Sequence, residues 1–308
     1  MKRSERWLIP ALMVPAMFIL SFAFAGIIRH DIPAEEYKKY AQQPQFDCVG
    51  SLLRDGEHLG TCVLIGERYV LDGASQLLTR KEENTTNDTI QHGSRGTTVV
   101  YKPGPMELTG LDRLECVFNG ETYKVEEVVF HPEFSKNSVS NFDVSLAVYK
   151  LDRKVTGVRP ASLNCDLDEK GSVATIVSIG KFTPAKPMRS MRDGEFAKVA
   201  GENMIDSIGG PFAPGTEERM ELLADFDHTE TPYLTNRMGE PYALPLEYMP
   251  TASGGIAFIR KDDQWLLAGI CSTTIYIMPS PPNFGYYGTC GAWTRVSVFA
   301  DWIEEQMK

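Results

Sequence analysis

Ser253 lies in the run Met249-Pro250-Thr251-Ala252-Ser253-Gly254-Gly255-Ile256, which feeds the apolar stretches Ala257-Phe258-Ile259 and Trp265 to Ile270. A serine beside two glycines, at the entrance to a β-hairpin, is one way for a chain to present a nucleophile. Its hydroxyl attacks poorly until a neighbouring base takes the proton, and histidine is the side chain that titrates in the useful range. The histidines are His30, His58, His92, His131 and His228. His58 falls in the polar turn Arg54 to His58, and His92 follows a long polar loop and is the least excluded as a base. Asp225, Asp227 and His228 stand close together and could ligate a cation, although an acidic strand edge is the commoner reading of such a run. No C-x-x-C spacing occurs, so neither a metal nor a cofactor is expected.

The elements that must position these groups read as β-strands. Cys48 to Leu53, Gly60 to Ile65 and Tyr69 to Leu71 are short apolar runs separated by polar turns, the pattern of an antiparallel meander, and Thr122 to Glu126 alternates polar with apolar residues. Repeated short strands with Gly and Pro turns favour a barrel or a sandwich. A second set of strands starts at Ala174 to Gly180, the stretch Lys181 to Pro250 has weak periodicity, and Phe299, Trp302, Ile303 and Met307 recur at helical spacing near the C-terminus.

With 308 residues, 43% hydrophobic and 23% charged, the chain can build a sizeable core. Its formal net charge of -10 and lack of a Lys/Arg-rich run argue against a nucleic-acid partner. Residues 1–25 have a basic start at Lys2, Arg3 and Arg6, an apolar stretch from Trp7, and Ala23-Phe24-Ala25 at the end, the pattern of a cleaved export signal. We expect the mature chain to begin at Gly26, in a secreted or periplasmic setting without stable membrane association; an uncleaved anchor is the rival, since the apolar stretch nears the length of a membrane span. All six cysteines follow the leader, and an even count in an exported chain suggests disulfides. Cys271 and Cys290 bracket one loop and are the first pair to expect.

Four stretches, in order, resemble trypsin/chymotrypsin-like serine proteases. Gly60 to Gln76 resembles the strand, turn and strand ending in the motif T-A-A-H-C. Val128-Val129-Phe130-His131-Pro132-Glu133-Phe134 with Asn141-Phe142-Asp143-Val144-Ser145-Leu146 resembles H-P-x-[YF] and the D-I-A-L strand. Pro250 to Ile256 resembles G-D-S-G-G-P, and Gly291 to Val296 with Asp301-Trp302-Ile303 resembles G-V-Y-T-R-V and D-W-I. The resemblance implies an all-β, chymotrypsin-like double β-barrel with a short C-terminal helix, its N-terminal half over residues 26–165 and its C-terminal half over 166–308. It assigns the triad aspartate to Asp143 and the nucleophile to Ser253.

The position of the general-base histidine is Ser75, which has no lone pair that titrates near neutrality. The glycine whose N–H helps bind the oxyanion, two residues before the nucleophile, is Thr251; the aspartate that pairs with the mature amino terminus in the family is Ala252, followed after the serine by Gly254. Glu247 falls at the base of the family's primary specificity pocket, an exposed loop glutamate being the other reading. The resemblance with these departures implies an exported protease homologue with impaired catalysis that binds a protein or peptide. The alternative is an active serine endopeptidase or hydrolase using Ser253 and a rearranged base.

Overall fold

The computed structural model describes residues 24–80, 89–93, 96–100, 106–136, 144–185, 194–209, 220–229, 236, 238–239, 243–250, 254–275 and 287–308. The expected leader therefore lies almost wholly outside the described residues. Among those described, no helix is long and apolar enough to cross a membrane.

The chain enters as β1 (Phe24–Ile28), followed by helix α1 (Ala34–Ala41). Strands β2 (Val49–Arg54), β3 (Glu57–Gly66) and β4 (Tyr69–Asp72) form the meander expected from the sequence. The small strands β5 (Leu78–Arg80), β6 (Thr89–Gly93), β7 (Gly96–Val100) and β8 (Met106–Leu108) pair as β5 with β8 and β6 with β7. Next come β9 (Leu114–Phe118), β10 (Glu121–Phe130), the short helix α2 (Pro132–Lys136) and β11 (Ala147–Leu151). Six of these strands close into a barrel in the order β10-β11-β4-β3-β2-β9. Two of its hairpins turn on Asp55-Gly56 and Asn119-Gly120, each with both residues at positive φ, the two-residue turn whose twist matches that of the flanking strands.

The second half is built from β12 (Ser162–Leu163), β13 (Val173–Pro184), β14 (Glu195–Met204), β15 (Ser207–Ile208) and β16 (Glu221–Asp225). It continues through β17 (Tyr248–Pro250), β18 (Ile256–Lys261), β19 (Gln264–Ile275) and β20 (Cys290–Arg295), and the chain ends in helix α3 (Val296–Gln306). Here the strands form one ten-stranded sheet running β15-β16-β20-β19-β18-β13-β1-β17, with β14 on β13 and β12 on β19. Among the described residues this sheet is not a closed ladder; a single bridge from Glu202 to Glu247 links β14 to the start of β17. The whole is a chymotrypsin-like, mostly β architecture with a C-terminal helix.

Both chain ends cross over. β1 lies in the second sheet, parallel to β13 and antiparallel to β17. α3 packs on the first barrel, where the His131 ring meets Phe299 and Trp302 edge-on at 4.9 and 4.8 Å. Val177, Ile256, Phe258 and Leu267 of the second half belong to the same apolar core as the barrel interior. A buried ion pair fixes the connection: Glu169, fully buried, accepts from Arg295 Nε at 2.9 Å and Nη2 at 2.5 Å, and also from Ser297 and Asn164.

The cysteines depart from expectation. All six are thiols. Cys271 stands opposite Trp293, and Cys290 opposite Ile275 further along β19. At ~3.3 Å per residue that offset is about 13 Å, well beyond the ~7 Å between Cα atoms that a disulfide can span. The expected Cys271–Cys290 bridge is therefore absent, because the loop they bracket is the end of a hairpin whose register separates them.

Candidate functional site

Ser75 sits in the 3₁₀ turn Ala74–Leu77 that follows β4. Its backbone N–H donates to Ser145 Oγ at 3.0 Å, tying the turn to the chain two residues beyond Asp143. Behind the turn lies Asp72, fully buried, whose Oδ1 accepts from Gly73 N at 2.6 Å and Gln76 Nε2 at 2.9 Å, while Tyr149 Oη donates to Oδ2 at 3.4 Å. Burial in the barrel raises this carboxyl well above the ordinary carboxylate range, only partly offset by the Gly73 and Tyr149 hydrogen bonds. Asp72 thus braces the Ser75 turn from the barrel interior, through Gly73 and Gln76.

From the second half, Gly255 O accepts from Cys271 N at 2.9 Å, so the residues after the expected nucleophile are stitched to β19. A Cβ on Gly73 would stand 3.4 Å from Cys271 O, which brings the Ser75 turn against the same strand. Gly254 has φ +145, and a Cβ there would lie 2.5 Å from Thr61 Oγ1 and 2.9 Å from Thr61 N. The structure thus joins Ser75 to Ser145 and, through Cys271 of β19, sets the Ser75 turn and Gly255 against one strand, while Gly254 packs on Thr61 of β3. Asp143, Thr251, Ala252 and Ser253 lie outside the described residues. Gly254→Ala should cost on the order of 3 kcal/mol from backbone strain and the clash with β3, read as a lower denaturation midpoint; an unchanged midpoint would show that β3 does not press on this residue.

Glu247 is 1% exposed, so it is not an exposed loop carboxylate. Its oxygens accept from Leu244 N at 2.6 Å and Asp227 N at 3.5 Å. Burial first, and Asp227 next, push its pKa well above the ordinary value. Asp227 is pushed up to about 9 by burial and by Asp225 and Asp206. The acidic run is buried: Asp225 ends β16, where it pairs with Cys290 of β20, and Asp227 and His228 follow just beyond it. Among the described residues no three metal-ligating side chains converge, so the cation reading of Asp225, Asp227 and His228 finds no geometry to support it.

These carboxyls set a pH dependence. Asp72, Asp227 and Glu247 keep their protons when folded at pH values where the unfolded chain has released them, so the folded state loses stability as pH rises from about 4, for Asp227 up to about 9. Asp31, held below its ordinary value by its hydrogen bond with Arg29, acts in the opposite sense and loses its contribution as pH falls. The unfolding midpoint should fall between pH 6 and pH 9, and Asp227→Asn should flatten the slope. A midpoint that climbs over this interval contradicts the buried-acid account.

Of the histidines, His30 pairs its Nδ1 with Tyr287 Oη at 2.8 Å, and the His228 ring packs edge-on against Tyr287 at 4.4 Å. His92 lies on β6, and its side chain is outside the described residues. Sequence reasoning missed His58. The tight turn at Asp55-Gly56 leaves it on β3, and a bulge opposite Leu52 and Leu53 places it on the same face as Thr61. His58 Nε2 and Thr61 Oγ1 both bond Ile179 O, at 3.0 and 3.2 Å, and burial lowers the imidazole pKa. The signal for this was the Asp-Gly pair, which marks a two-residue turn and a strand on either side.

No family model and no curated protein matches the chain. Among solved structures it is similar to neuropsin, a serine protease expressed in the limbic system of mouse brain, with a TM-score of 0.52 and 15% identity over 91% of this chain and 99% of that one. Likeness at this identity shows the fold, which is trypsin-like, and leaves activity to be argued from the residues.

Proposed function

We propose that the protein is an exported, chymotrypsin-fold homologue of serine proteases that no longer performs efficient proteolysis and binds a protein or peptide across the cleft between its two halves. The observation that carries this is Ser75 in the turn after β4, where the resemblance requires the base. The carboxyl closest to it in sequence, Asp72, is turned inward to Tyr149 and held neutral, so it supplies no substitute. Thr251 and Ala252 beside Ser253 weaken the oxyanion site and the loop in the same direction. Purified protein titrated with unfolded polypeptide should bind it and leave it intact by mass spectrometry, with Ser253→Ala binding equally well. Cleavage that disappears in Ser253→Ala would establish the opposite.

One observation favours a second reading, an active hydrolase with a rearranged base. His58 reaches the same carbonyl as Thr61, and Thr61 in turn abuts Gly254. That reading requires turnover to vanish in both Ser253→Ala and His58→Ala; turnover unchanged in either variant refutes it.

A further inference from the structure

The segment Leu244–Pro250 leads directly into Thr251-Ala252-Ser253 and forms the described approach to that loop. Two features hold it, and neither uses a charged amino terminus. The first is β1. Its residues Gly26, Ile27 and Ile28 pair with Pro250, Met249 and Tyr248, and on the other side with Phe182, Thr183 and Pro184. Ile27 and Ile28 are fully buried, and a Cβ on Gly26 would lie 2.4 Å from Met249 O, so the strand runs through the sheet with its backbone against β17. Pairing already begins at Phe24 with Lys181, upstream of the expected mature terminus.

The second feature is a clasp around Arg29. Its guanidinium, 10% exposed, grips Asp31 through two parallel bonds, Nε to Oδ1 at 2.9 Å and Nη2 to Oδ2 at 2.6 Å. That bidentate pairing fixes the plane of the guanidinium and aims Nη1 at Leu244 O, 2.7 Å away, and Pro245 O at 3.4 Å. The Arg29 backbone N–H donates to Tyr37 Oη at 3.2 Å, and Tyr37 Oη donates to Glu247 O at 3.1 Å. Three carbonyls of the segment, those of Leu244, Pro245 and Glu247, are therefore held by Arg29, just beyond β1, and by Tyr37 of α1.

We propose that Arg29, with Asp31 and Tyr37, is a positioning residue that orders Leu244–Pro250 in the intact chain, so that this wall of the cleft forms without a freed amino terminus at Gly26 or Ile27. The hold on this segment comes from backbone pairing with β1 and from Arg29 and Tyr37, so it needs no carboxylate at position 252, where the sequence has alanine. The inference concerns how the wall is set and holds whether Ser253 is reactive or silent.

Hydrogen exchange read by mass spectrometry on the peptide covering 243–250 tests it. Two chains are compared first, one starting at Gly26 and one extended upstream of Phe24 by a neutral Gly-Ser tail. Exchange at Glu247, Tyr248 and Met249 should agree within about twofold between them. Arg29→Gln should speed exchange in this peptide by about tenfold or more, as expected for losing charge-assisted bonds, while amides of β10 and β11 stay protected; Arg29→Lys, which keeps the charge and loses the fork, should fall between. If Arg29→Gln unprotects β10 and β11 too, the milder Asp31→Asn decides on the same peptide, where faster exchange supports the clasp and unchanged exchange removes it. Protection at least tenfold higher in the Gly26 chain than in the extended one would overturn the proposal.

Discussion

Ser75→His is expected to raise Ser253-dependent hydrolysis of activated peptide esters by about 10²-fold over the parent protein, and to leave it far short of a working protease. Removing the base from a serine–histidine–aspartate unit costs about 10⁶-fold in turnover, on the order of 8 kcal/mol, because the residues act as one device. A positioned general base alone contributes about 10²–10⁴-fold. Position 75 is suited to carry it, since its turn is fixed by the Ser145 hydroxyl and by the Asp72 carboxyl through Gly73 and Gln76. The remaining shortfall falls to Thr251 and Ala252, which Ser75→His leaves in place. Steady-state rates for the parent, Ser75→His and Ser75→His/Ser253→Ala separate the contributions. No gain in Ser75→His, or a gain that survives loss of Ser253, would mean that position 75 does not face the nucleophile.

The second large effect lies far from the cleft. Glu169→Ala should destabilise the protein by about 3–5 kcal/mol, because it leaves the 4%-exposed Arg295 guanidinium buried without its carboxylate. Glu169→Gln, which keeps an acceptor for Arg295 and Ser297, should cost less. Arg295 immediately precedes α3, and α3 packs its Phe299 and Trp302 on His131 of the first barrel. The loss should therefore appear both in the denaturation midpoint and in Trp302 fluorescence. A midpoint within about 1 kcal/mol of the parent would show that water satisfies Arg295 in the variant.

The architecture was legible where local pattern and partner lie close together. The β2–β4 meander and the helix carrying Phe299, Trp302 and Ile303 follow from alternation, turn residues and helical spacing alone. The resemblance added the order of the cleft segments; in the structure the Ser75 turn bonds Ser145, and Gly73 and Gly255 both meet Cys271 of β19. What sequence could not supply depends on distant partners. Ile27-Ile28 is an apolar pair whose place between β13 and β17 depends on residues more than a hundred positions away. Asp225 and Asp227 look like an acidic strand edge because nothing local announces that β16 pairs with β20 or that both carboxyls are buried. Cys271 and Cys290 look like a bracketed loop because hairpin register is invisible in a count of intervening residues. The environment of Glu247 was not legible: its burial and its bond to Asp227 N depend on a residue twenty positions away, just beyond β16.

The most direct test of impaired catalysis is the stoichiometry with which a fluorophosphonate labels Ser253 in the purified parent protein, followed by intact mass alongside an active serine protease. The probe reports nucleophile activation without requiring a known substrate. Ser75 in place of the base predicts labelling slower than the active control by orders of magnitude and far below one adduct per chain over the time in which the control is saturated. Rapid, stoichiometric labelling at Ser253 would contradict the account and point to a base elsewhere, with His58 the first residue to replace.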